Sequence, residues 1–165
     1  MIYLSSAGSG GESTEVRLTR EDIIRIVQEA ELLRNILQNL QRQASIVSSL
    51  IREIEVTREV LRQVKTLNPD NEILVPLGAT TYIRATIRDR ERALIGIGAN
   101  YMIEVPIEDV ISILERRQKE LEKNLESIQT NMTQVATRLS QIESLLERIR
   151  SELASRRETA TATAT

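Results

Sequence analysis

Apolar residues recur at alternating spacings of three and four along two long stretches of the chain. In the first stretch they fall at Ile23, Ile26, Ala30, Leu33, Leu37, Leu40, Ala44, Val47, Ile51 and Ile54. In the second they fall at Ile107, Ile111, Leu114, Leu121, Leu125, Ile128, Met132, Val135, Leu139, Ile142, Leu146, Ile149 and Leu153. A repeat of this kind is the seam of a coiled coil and asks for a partner helix. The two stretches are nearly equal in length and are joined in the middle, so the pattern predicts an antiparallel two-helix coiled coil. At about 1.5 Å per residue each helix is roughly 70 Å long. Each seam carries one polar residue at a core position, Arg58 and Gln118, at nearly the same level. They are expected to meet in one polar layer that fixes register.

Local signals set the boundaries. Thr19 followed by Asp22 reads as a capping pair, with Leu18 and Ile23 as the hydrophobic staple. Asn68-Pro69-Asp70 stops the first helix at Leu67. Pro106, then Glu108 and Asp109, open the second helix, which is expected to run to about Arg157. The predicted organisation is a flexible Gly- and Ser-rich extension over 1–18, helix 1 over 19–67, a β segment over 68–105, helix 2 over 106–157 and a disordered Thr-Ala tail over 158–165.

The β segment shows a period of two. Four strands are read at Ile73–Leu77, Thr81–Arg88, Ala93–Ile97 and Tyr101–Val105, with turns at Gly78-Ala79-Thr80, Asp89-Arg90-Glu91-Arg92 and Gly98-Ala99-Asn100. One face collects Ile73, Val75, Leu77, Ile83, Ala85, Ile87, Ala93, Ile95, Ile97, Tyr101, Ile103 and Val105. The other carries Arg84, Thr86, Arg88 and Glu104. With the helix seams occupied by each other, this apolar face is expected to be buried by other subunits. Pro76 points to an edge or a bulge in the first strand. The fold class is therefore mostly α with a small β insert: a long antiparallel coiled coil joined by two β-hairpins.

Composition narrows the function. The chain has 165 residues, no Phe, Trp, Cys or His, and a formal net charge of −2. Large aromatics of a compact core are missing, and so are disulfides, thiolate nucleophiles, common zinc ligands and the commonest general base. Gly96-Ile97-Gly98 lacks the third glycine and the following helix of a phosphate loop. The carboxylates sit on solvated helix positions such as Glu115, Glu120, Glu122 and Glu126. Arg116-Arg117 and Arg156-Arg157 are interleaved with acids and lack stacking aromatics, which disfavours nucleic acid. No apolar run approaches the roughly 20 residues of a membrane span. The expectation is a cytoplasmic protein that is not an enzyme, with no cofactor and no metal.

Two motifs in the β segment resemble a known family. Glu72-Ile73-Leu74-Val75-Pro76-Leu77-Gly78-Ala79 resembles the stretch after the first helix of prefoldin alpha subunits of the archaeal type. Ile95-Gly96-Ile97-Gly98-Ala99-Asn100-Tyr101-Met102-Ile103-Glu104 resembles their second hairpin, with Asn100 where many members have Gly. Two hairpins between the helices are similar to the alpha class; the beta class has one. The resemblance covers about residues 19–157. It implies a hexameric, ATP-independent chaperone of two alpha and four beta subunits. In such an assembly the hairpins build a β-barrel platform, and coiled-coil tips hold unfolded client proteins for a group II chaperonin. No catalytic residue carries over.

The residues that fit these roles follow from the pattern. The off-seam residues Ile24, Val27 and Leu145, with the seam residues Ile23, Leu146, Ile149 and Leu153 beside them, suggest a client-binding tip where helix 1 begins and helix 2 ends, with Ile149 and Leu153 only partly covered. The oligomerisation set is Ile73, Val75, Leu77, Ile83, Ala85, Ile87, Ile95, Ile97, Tyr101, Ile103 and Val105. Leu32, Ile36, Ile46, Leu50, Val56, Val60 and Val64 are also off the seam. The alternative function is a structural coiled-coil adaptor, or a filament-forming relative, that holds no clients.

Overall fold

The computed structural model describes residues 2–5, 15–68 and 71–162. The elements, in order, are β1 (Ile2–Ser5), β2 (Glu15–Leu18), α1 (Arg20–Thr66), β3 (Glu72–Gly78), β4 (Thr81–Thr86), β5 (Arg92–Gly98), β6 (Tyr101–Pro106) and α2 (Ile107–Ala162). The predicted class, two long helices with two small antiparallel hairpins between them, is what the chain adopts. It divides into two compact units: residues 1–44 with 127–165, and residues 45–126.

In the first unit β1 and β2 form a short antiparallel ladder, with Ile2 opposite Leu18 and Ser5 opposite Glu15. The flexible extension expected over 1–18 otherwise lies outside the described residues. Thr19 caps α1 as the sequence predicts. Its backbone N–H donates to Asp22 Oδ2 at 2.9 Å, and the Asp22 N–H donates back to Thr19 Oγ1 at 3.2 Å. Two orphan donors of the first turn are thereby satisfied. The helices pack antiparallel here: Ala30, Leu139 and Ile142 form a buried cluster edged by Ile26, Leu33, Leu37 and Leu146. Ala30 at this level lets the two backbones approach. Arg34–Glu143 at 2.6 Å and Arg138–Glu29 at 2.9 Å bridge the helices on the outside. Both pairs are half exposed, so each contributes no more than about 1 kcal/mol. α2 continues to Ala162, past the end expected at about Arg157. Residues 163–165 of the expected tail lie outside the described residues.

In the second unit the polar layer forms. Arg58 Nη1 donates to Gln118 Oε1 at 2.7 Å, and Arg58 also pairs with Glu115. Gln118 Nε2 in turn donates to Glu122 at 2.8 Å and Glu55 at 3.3 Å. Arg62 and Lys65 of α1 lie against Glu115 and Glu108 of α2, continuing the antiparallel pairing.

The β segment forms the two expected hairpins. β3 pairs only with β4, and β5 only with β6, as two separate ladders. Both have a bulge just before the turn, between Pro76 and Gly78 and between Gly96 and Gly98. The bulge expected at Pro76 is thus present, and it recurs where there is no proline. Each turn runs through left-handed backbone: Gly78 at φ 103°, Ala79 at 47° and Thr80 at 59°; Gly98 at 109°, Ala99 at 47° and Asn100 at 62°. This is the primed hairpin turn, whose twist matches that of the strands. β4 stops at Thr86, opposite Glu72, so Ile87 and Arg88 fall in the connection and not in a strand. Pro106 is the last residue of β6, and α2 starts one residue later.

Residues 89–91 tie the hairpins to both helices. Asp89 Oδ1 accepts from the N–H groups of Glu91 at 2.8 Å and Arg92 at 3.1 Å. Arg90 Nη1 donates to the carbonyl of Leu67, just past the end of α1. The Ile107 N–H at the start of α2 donates to the Glu91 carbonyl at 2.8 Å. One tripeptide therefore satisfies an orphan acceptor of one helix and an orphan donor of the other.

Candidate functional site

Two surfaces hold the residues singled out in the sequence: the hairpins, and the region where α1 begins and α2 ends.

The hairpins are not equivalent in their packing. The expectation that the helices leave the apolar face bare is corrected at β5–β6. Ile95 is 6% exposed and packs with Val110 and Leu114, edged by Ile54, Leu61, Ala93, Val105 and Ile113. Arg117 Nη2 adds a hydrogen bond to the Gly96 carbonyl at 2.6 Å. The physical reason is that Val110 and Ile113 lie off the helix seam and cap the inner face of the second hairpin. Val105 and Ala93 share that cluster, whereas Ile97, Tyr101 and Ile103 remain exposed.

On β3–β4 the same face is more open. Ile73, Val75 and Ala85 are half-buried, as is Ile87 just beyond the strand, while Leu77 and Ile83 are exposed. None of them belongs to a buried cluster of the described residues.

The opposite face is also apolar, which the sequence reading missed. Leu74 is 66% exposed and Leu94 63%, with Tyr82 and Met102 on the same side of their ladders. The signal was present in the runs Ile73-Leu74-Val75 and Ala93-Leu94-Ile95, which put apolar side chains on both faces as a doubly covered strand does. Among the charges on that face, Arg84 lies 3.1 Å from Glu72. Arg92 Nη2 donates to the Glu104 carbonyl at 2.9 Å.

At the end of the first unit the predicted tip residues separate into two groups. Ile149 is 2% exposed, with Ile23 and Leu145 packed against it, and Leu146 joins the Ala30 cluster. Ile149 therefore differs from the expectation of partial cover: the neighbouring Ile23 and Leu145 close over it. Ile24 at 57%, Val27 at 39% and Leu153 at 39% are exposed. Beside them, the N–H and hydroxyl groups of Thr19 hold the Asp22 carboxyl below its ordinary range, the side-chain bond having the larger effect. At the other surface, the Glu91 and then the Arg92 backbone N–H groups do the same for Asp89. These carboxylates are structural anions that accept backbone donors.

Among the described residues no group of three or more His, Cys, Asp or Glu side chains is placed to hold a metal ion. Among the same residues no helix is long and apolar enough to cross a membrane. What the surfaces offer is apolar area: two hairpins open on at least one face, and exposed aliphatic side chains at a helix end.

Comparisons with known proteins agree with this architecture. The family model described as "Prefoldin subunit" matches residues 33–152. The prefoldin subunit alpha of Methanopyrus kandleri is 30% identical over 63% of this chain and 66% of its own length. That of Thermofilum pendens is 31% identical over 60% of this chain and 77% of its own. That of Pyrococcus horikoshii is 28% identical over 62% and 70%. Among solved structures, a chain of the filamentous PFD from Methanocaldococcus jannaschii superposes with a TM-score of 0.63 at 14% identity, covering 71% of this chain and 97% of that one, a likeness of fold. With two hairpins between its helices and a family match spanning most of its length, this chain belongs to the prefoldin family of chaperone subunits, in the alpha class.

Proposed function

We propose that this chain is the alpha subunit of a prefoldin that holds non-native proteins without ATP. In this reading two copies join four beta-class subunits through the hairpins, and the helix ends grip clients and deliver them to a group II chaperonin. The observation that carries it is the exposure of Ile24, Val27 and Leu153 around the buried Ile149 core, where α1 begins and α2 ends. Exposed apolar side chains favour partners that expose apolar segments, and α1 carries further ones along its length at Leu32, Ile36, Ile46, Leu50, Val56 and Val60. About half of each side chain is already covered, so burying the rest is worth about 1 kcal/mol apiece. Contacts of that size are weak singly and add through avidity when several subunits act together. The hairpins supply the matching argument for assembly, since Leu74, Tyr82, Leu94 and Met102 are exposed in the single chain.

The test is client aggregation followed by light scattering without ATP, with this chain assembled with a beta-class partner. The wild type runs beside Ile24→Ser/Val27→Ser/Leu153→Ser, after both assemblies are shown to have the same mass. Weaker suppression by the variant places part of the grip on this subunit. Equal suppression leaves this chain as a scaffold and assigns the grip to its partner. No suppression by either supports the structural, non-holding alternative.

A further inference from the structure

The β1–β2 ladder is joined directly to the start of α1. β2 ends at Leu18, Thr19 is the cap and α1 begins at Arg20, so no linker separates the ladder from the helix. β1 runs antiparallel to β2, with Ile2 opposite Leu18, Tyr3 opposite Arg17, Leu4 opposite Val16 and Ser5 opposite Glu15. The Ile2 end of β1 is therefore the end nearer the helix in register. Ile24 and Val27, whose exposure carries the proposed client contact, come early in that same helix.

Among the described residues no third strand pairs with β1 or β2, so the ladder has two free edges. Along each edge alternate residues turn their N–H and C=O groups outward, which leaves half of the strand's backbone groups without a partner in the ladder. The edges differ in sequence. β2 contains Glu15 and Arg17, and charges of this kind keep an edge from pairing. β1, Ile2-Tyr3-Leu4-Ser5, has no charge and no proline, and Ile and Tyr favour strands. Its rungs also alternate in kind. Ile2 with Leu18 and Leu4 with Val16 are aliphatic pairs, while Tyr3 with Arg17 and Ser5 with Glu15 are polar. A strand added beside β1 would be matched in register by aliphatic residues at every second position.

We propose that the free edge of β1 takes up an extended segment of a non-native protein as a third strand. The ligand is defined by its chemistry: a short run without proline, its amides unpaired, with aliphatic residues at alternate positions. Folded proteins keep buried amides paired, so the edge discriminates against them; an unfolded chain leaves them free. Ile24 and Val27 attract apolar side chains whatever the backbone does, and the edge adds a contact with the backbone itself. The proposal rests on the reading of the helix end as the client-binding region and names the conformation in which a client is held there.

The experiment is fluorescence anisotropy of labelled peptides with the full chain assembled with a beta-class partner. One probe is a short peptide of alternating valine and threonine. The other is the same peptide N-methylated at consecutive central residues, which blocks both of its edges and keeps its side chains. Each is titrated with the wild type and with a form lacking residues 2–5, which retains the Thr19–Asp22 cap; equal mass and helix content of the two assemblies are checked first. The plain peptide is expected to bind the wild type about tenfold or more tighter than the N-methylated one, from the backbone hydrogen bonds it alone can make. Loss of residues 2–5 is expected to abolish that preference. In the wild type, amide exchange of β1 should slow with the plain peptide only. Equal affinity for the two peptides, a preference that survives the loss of residues 2–5, or no binding of either peptide overturns the proposal. Each of these leaves the holdase reading standing, since that reading is scored by client aggregation with Ile24, Val27 and Leu153 changed.

Discussion

Replacing Ile95 with alanine tests how the second hairpin is attached to the helices. Ile95 is 6% exposed and sits among Val110, Leu114, Ala93 and Val105, so truncation removes most of a buried side chain and leaves a cavity lined by them. Ile→Ala changes in cores cost about 2–5 kcal/mol. Part of this cluster's lining, Ile113 and Val105 included, is only half-buried and can collapse inward, which sets the expectation near the low end, about 2–3 kcal/mol. The adjacent Leu94 is the control. It points to the other face and is 63% exposed, so Leu94→Ala should cost less than about 0.5 kcal/mol. The assay is urea unfolding followed at 222 nm, at one protein concentration low enough that every form sediments as a monomer, because association would add its own stability. Equal losses for the two variants, or a larger loss for Leu94→Ala, would refute the face assignment and with it the docking of the hairpin on the helices. Amide exchange across β5–β6 should rise in Ile95→Ala and stay unchanged in Leu94→Ala.

Thr80 is a β-branched residue at φ 59°, where the equivalent position of the other hairpin has Asn100 at 62°. Thr80→Asn should therefore raise stability by about 0.5–1 kcal/mol, read as a higher thermal midpoint. Gln118→Leu removes the acceptor of Arg58 Nη1 and should cost about 1–2 kcal/mol in urea unfolding. Adding Arg58→Leu should recover most of that loss while cysteine crosslinks between the helices scatter over neighbouring registers; an unchanged crosslink pattern would deny the layer its register role. Asp22 has a carboxyl held below its ordinary value of 3.8 in the folded chain. A depressed folded value means the cap contributes fully above that pH and is lost as pH falls below it. The helix-content difference between wild type and Asp22→Ala should accordingly be constant near neutrality and shrink as pH falls below 3.8.

The seams were legible because a heptad repeat is a direct record of burial. Every apolar seam residue from Ile23 to Ile54 and from Ile107 to Ile149 is buried or half-buried, and only Leu153 is exposed. The cap at Thr19 and the Arg58–Gln118 layer were readable for a similar reason: each needs particular residue types at fixed offsets. The packing of the second hairpin was not readable. Its signal lies in Val110 and Ile113, off-seam positions that carry no mark of which hairpin they meet. Nor could the sequence tell Ile149 from Ile24 at the helix end. Both are isoleucines near a terminus, and what separates them is whether Ile23 and Leu145 close over the side chain.

Residues 89–91, in the connection between the two hairpins, have a consequence for how the chain melts. Helices ordinarily fray from their ends, turn by turn, because terminal groups exchange protein partners for water at little cost. Here the end of α1 and the beginning of α2 depend on the same three residues, through the Arg90 bond to Leu67 and the Glu91 bond to Ile107. Asp89 in turn fixes the conformation of those residues and the first amide of β5. Opening either helix end loosens the anchor of the other and the entry to the second hairpin. This junction should unzip as one cooperative event on heating, so that amides around Leu67, Arg92 and Ile107 exchange at a common rate, set by a shared opening.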